Sequence, residues 1–116
     1  MEAELFDAVL GVLARCVPRG SRRPLAESFP GVIDEFAPIL PAAERYGMAG
    51  VCAELAGRLG VPTQDAREPL RLVLVQLGRQ HPEFIDVVAR RLGKGVLDLP
   101  GVREHLGQDV DRGPAG

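Results

Sequence analysis

The chain has 116 residues and a formal net charge of −2, with 46% hydrophobic and 4% aromatic residues. That length fits one domain, and that apolar content is enough for a core, which excludes wholesale disorder. The near-neutral charge excludes a broadly basic nucleic-acid footprint, and a chain without Trp has little on which single-stranded bases can stack.

Charge is spread evenly. Residues 1–58 carry 6 basic and 8 acidic groups and residues 59–116 carry 8 and 8, so neither half is an electrostatic arm. Of the 14 basic residues 13 are Arg, Lys94 being the exception. Glu2, Glu4 and Asp7 stand where a secretory signal needs positive charge, and no apolar run reaches the roughly 18 residues of a membrane span. A cytoplasmic setting is expected, with Cys16 and Cys52 buried as small hydrophobes.

Residues 2–16 read as a helix, because Phe6, Val9, Leu10, Leu13 and Val17 make one apolar stripe at helical spacing. The Pro/Gly-rich stretch 18–24 ends it. Ser21 is placed to cap a short helix through residues 24–29, and Pro30-Gly31 separates that from a second short segment over 32–40. Residues 42–59 predict one continuous helix with Met48, Val51, Cys52, Leu55 and Leu59 on a face, closed by Gly60.

Thr63 is the expected N-cap of the next helix, which runs to about Arg79. Alternation within residues 70–77 also suits a strand. The helical reading is preferred because Ala66, Leu70, Val73, Leu74 and Leu77 fit one helix face. Leu72 and Val75 lie off that face, so this helix is expected to be central or to meet a partner. Pro82 opens a further helix to Leu92, Gly93-Lys94-Gly95 interrupts, residues 96–99 dock, residues 100–106 form a last turn, and 108–116 form a flexible tail.

Two stretches look like degenerate copies. Leu13/Leu77 and Pro18/Pro82 share an offset of 64, and after a one-residue slip Leu25/Val88, Ala26/Ala89, Phe29/Leu92, Ile33/Val96 and Phe36/Leu99 share 63. The expected architecture is therefore a single all-α domain over residues 1–107. It is a compact bundle of about five to seven helices built from two degenerate helical repeats, roughly 2–37 and 42–99.

Residues 43–92, from "AERYGMAGVCAELAGRLG" to "FIDVVARRL", resemble the repeated unit of the bacterial Domain of Unknown Function 2267 family. Residues 8–13 ("AVLGVL") followed by 24–30 ("PLAESFP") resemble a copy lacking its first helix, so the resemblance spans most of 5–99. Ser28 stands where the family pattern has Gln, and "VVARRLG" lacks the family's polar and proline pattern. The resemblance implies an all-α fold and no activity.

Candidate chemistry is sparse. Arg15, Arg19, Arg22 and Arg23 cluster around a Gly-Ser turn and are candidates for binding an anion such as phosphate, with a looser echo in Arg90, Arg91 and Lys94. His81, His105, Cys16 and Cys52 have no metal-ligand spacing, and His81 before Pro82 reads as a helix-opening residue. No nucleophile elbow, phosphate loop or dinucleotide fingerprint is present, and the pairs Asp34/Glu35 and Glu83/Asp86 read as solvated faces. No catalytic residue, cofactor or metal is expected.

The expected function is a small non-enzymatic protein–protein interaction module. It meets another protein or a second copy, as a homodimer, through Leu72 and Val75. The alternatives are phosphate or nucleic-acid binding through the loop 15–23 and a death-fold-like adaptor domain; nucleic acid is disfavoured and no membrane contact is expected.

Overall fold

In the computed structural model, which describes residues 2–102, the chain is an all-α bundle. Six α-helices follow one another: α1 (Ala3–Ala14), α2 (Arg23–Ser28), α3 (Pro41–Tyr46), α4 (Met48–Leu59), α5 (Thr63–Gln80) and α6 (Pro82–Leu92). One 3-10 turn, Arg19–Arg22, precedes α2 and another, Lys94–Val96, follows α6. The expected tail over 108–116, most of the turn over 100–106, and His105 lie outside the described residues.

The bundle is organised by α1 and α5. In α1 the predicted stripe is buried at Val9, Leu10 and Leu13, with Val12 and Ala14 buried beside them. In α5 the buried residues are Ala66, Leu70, Val73, Leu74, Leu77 and Gly78, the face that periodicity selects, so the strand reading of 70–77 is set aside. Helices α4 and α5 pack against each other and both pack against α1, while α6 closes the side formed by α3 and α5. Burying leucine-sized side chains such as Leu10, Leu55, Leu74 and Leu77 stabilises the fold by roughly 1.5–3 kcal/mol each.

Helix α5 continues through Pro69. A proline there removes the amide that would donate to the Asp65 carbonyl, and the exposure of Asp65 leaves water to satisfy that oxygen. Pro82 sits at the first turn of α6, where the missing amide has no intrahelical partner to lose. Gly60 ends α4 in the left-handed conformation at φ 69°.

Four expectations are corrected. The single helix over 42–59 is two helices, because Gly47 adopts φ 63° and ψ −136°, which no helix accommodates. Residues 32–40 are not helical; they form turns, a bend and irregular loop. Ser21 does not cap α2 but lies inside the 3-10 turn, and Thr63 is the first residue of α5 rather than its cap, Pro62 preceding it with no side-chain cap bond.

The two repeat-like stretches also part company after their first helices. Pro82 opens an 11-residue helix, whereas Pro18 leads into the 3-10 turn and a 6-residue helix. At the matched positions Leu99 is 2% exposed and Phe36 is 77% exposed.

Candidate functional site

The arginine cluster does not form one surface. Arg22 is fully buried, its relative exposure 0%. Its guanidinium donates from Nε and Nη2 to the Val17 carbonyl at 3.3 and 3.2 Å, and from Nη1 to the carbonyls of Asp34, Glu35 and Ala37 at 3.1, 3.4 and 2.6 Å. Burial, then the neighbouring cations Arg19 and Arg15, hold its pKa below the ordinary arginine value. The candidate anion-binding role of Arg22 is therefore corrected: its donors are spent on backbone oxygens of a loop with no regular structure.

Arg15 works beside it. Its Nε donates to the Pro38 carbonyl at 3.1 Å, and its own carbonyl accepts from the Leu40 amide at 2.8 Å. Arg23 pairs with Glu35 at 3.7 Å across solvent. Arg19 is exposed and, among the described residues, is the member of the quartet with no such bond. Arg15 and Arg22 thus hold residues 34–40 against the end of α1, and Arg23 meets the same loop only through its exposed pair with Glu35. The sequence signal was the cluster itself; its destination was not legible because carbonyl oxygens carry no residue code.

The second predicted site is partly open. Leu72 on α5 is 42% exposed. Val75, one turn on, is half-buried because the turn at 99–102 covers it: a Cβ on Gly101 would lie 3.1 Å from Val75 Cγ2. Arg71 fastens that turn by donating Nη1 to the Pro100 carbonyl at 3.0 Å while it pairs with Glu68. Leu72 and Val75 lie with Gln76, Arg79 and Gln80 along a shallow depression on the outer side of α5.

A second groove, of about 380 Å³, was not anticipated. It is lined by Met48, Ala49 and Cys52 of α4, by Arg67 of α5, and by Gly95 and Asp98 beyond α6. Gly95 lies at its rim, where a Cβ would stand in ordinary contact with the Met48 sulfur at 3.8 Å. Its only sequence trace is the small-residue face of α4 at Ala49.

Both cysteines are free and buried, as expected. Cys16 donates its thiol to the Val12 carbonyl at 3.3 Å, and desolvation pushes its pKa from the ordinary 9.0 up to about 12. Desolvation also raises Cys52, beside the Arg67 cation that opposes the shift. The native protein should resist a disulfide reagent at pH 8, Cys52 reacting before Cys16 and both reacting fast after denaturation. Because the unfolded Cys16 thiol ionises first, stability should fall as pH rises from about 9 towards about 12, which a urea titration at stepped pH would read.

His81 joins α5 to α6, its Nε2 within 3.1 Å of the Ser28 hydroxyl and its Nδ1 3.7 Å from Glu83. Among the described residues no group of three His, Cys, Asp or Glu side chains could hold a metal ion, and no helix is long and apolar enough to cross a membrane. Comparison with protein-family models, with curated proteins and with solved structures finds no match for this chain.

Proposed function

We propose that the protein is a non-enzymatic helical interaction module whose partner protein seats on the outer side of α5. Leu72 carries this reading: it is an apolar side chain 42% exposed in the middle of an 18-residue helix. The polar groups Gln76, Arg79 and Gln80 flank it, an apolar centre with a polar rim of the kind interfaces use. A reducing, cytoplasmic location suits the two free buried thiols. Val75, already half-covered by the turn at Gly101, supports the depression from beneath rather than offering a second anchor.

Native mass spectrometry of the untagged protein from its host tests this reading. The expected spectrum contains a complex with a second, different protein, lost in Leu72→Glu, while the unfolding free energy changes by less than the roughly 0.5 kcal/mol of an ordinary surface change. A spectrum with no second protein bound, or a Leu72→Glu variant that still binds it, overturns the reading.

A further inference from the structure

We propose that the protein self-associates by seating Phe36 of one copy in the groove between α4 and α5 of another. Phe36 is 77% exposed, more than any other large hydrophobic side chain among the described residues. It is nevertheless held in place. Its amide donates to Asp34 Oδ1 at 3.0 Å, and the carbonyls on either side, of Glu35 and Ala37, both accept from Arg22 Nη1. The ring therefore stands on a loop whose ordering cost is met inside the fold, the condition under which an exposed aromatic binds tightly.

The groove matches it in shape and chemistry. Its 380 Å³ is ample for one phenyl ring, and Met48 and Cys52 offer two sulfur atoms to the ring edge. Its cation is complementary to the loop: Arg67 answers Asp34 and Glu35, which precede Phe36. Each copy owns one aromatic and one groove, so a two-fold arrangement uses both contacts and closes as a dimer. This surface is separate from the Leu72 face and leaves it free.

The test is sedimentation velocity on the full chain over a concentration series, with circular dichroism to verify folding. Wild type and Leu72→Glu should form dimers. Phe36→Ala, and Ala49→Trp, which fills the groove from an exposed position, should associate at least about 30-fold more weakly, the effect of losing a hot-spot residue. A photoreactive benzoyl-phenylalanine at position 36 should cross-link to the peptide containing Met48 of an isotopically distinct copy. A monomeric wild type, a Phe36→Ala dimer of unchanged strength, or cross-links confined to other peptides overturns the proposal. Loss of dimer in Leu72→Glu alone would transfer self-association to α5 and leave the reading of that face standing.

Discussion

Replacing Arg22 with leucine is expected to lower the unfolding free energy by about 3 kcal/mol, the upper end for leaving buried acceptors without their hydrogen-bond donor. Urea denaturation at neutral pH reads it. The leucine fills the volume but offers no donor to the carbonyls of Val17, Asp34, Glu35 and Ala37, which then lack the partner that held them. Arg22→Lys should recover little of the loss. Its single ammonium cannot serve Val17 on one side and Ala37 on the other at once, as a planar guanidinium does. Hydrogen exchange should locate the damage in residues 32–40 before the core. A leucine variant within about 0.5 kcal/mol of wild type would show that the loop is held by other means.

The second large effect is at Gly50, where a valine is expected to cost about 3 kcal/mol, the upper end for overpacking. Gly50 is buried at the contact of α3 and α4, and a Cβ there would collide with the Ala42 carbonyl and lie 3.0 Å from Tyr46 Cβ. Both are parts of the neighbouring helix that cannot rotate aside. Gly57, in the same helix, should respond with the opposite sign. Nothing lies within 4 Å of its would-be Cβ, so Gly57→Ala should stabilise by about 0.5–1 kcal/mol. Thermal melts of the two variants decide the matter: equal signs would show that helix propensity rather than close approach governs both sites.

The sequence is legible where one-dimensional spacing controls the outcome. The faces of α1 and α5 follow from period, the start of α6 from Pro82 and the end of α4 from Gly60. It is not legible where a residue acts through backbone geometry or a distant carbonyl. Gly47 sits in a run that propensity alone extends through, and the Leu92 carbonyl, 2.9 Å from its would-be Cβ, is 45 positions away in sequence. Arg22 carries the composition of an exposed cluster and is buried, because the loop it satisfies has no pattern of its own. The exposed face of α5 is the intermediate case: Leu72 and Val75 stand off the buried face by counting, but the cover that the Gly101 turn lays over Val75 comes from outside the helix.

The way Arg22 grips the loop separates form from content. It binds main-chain oxygens, which every residue type possesses, so the path of residues 34–37 does not depend on which side chains they carry, Asp34 and its bond to the Phe36 amide aside. Positions 35–37 can therefore be rewritten while the backbone beneath them keeps its course. In that sense this loop is a small display scaffold, a fixed frame on which recognition can diversify without renegotiating the fold.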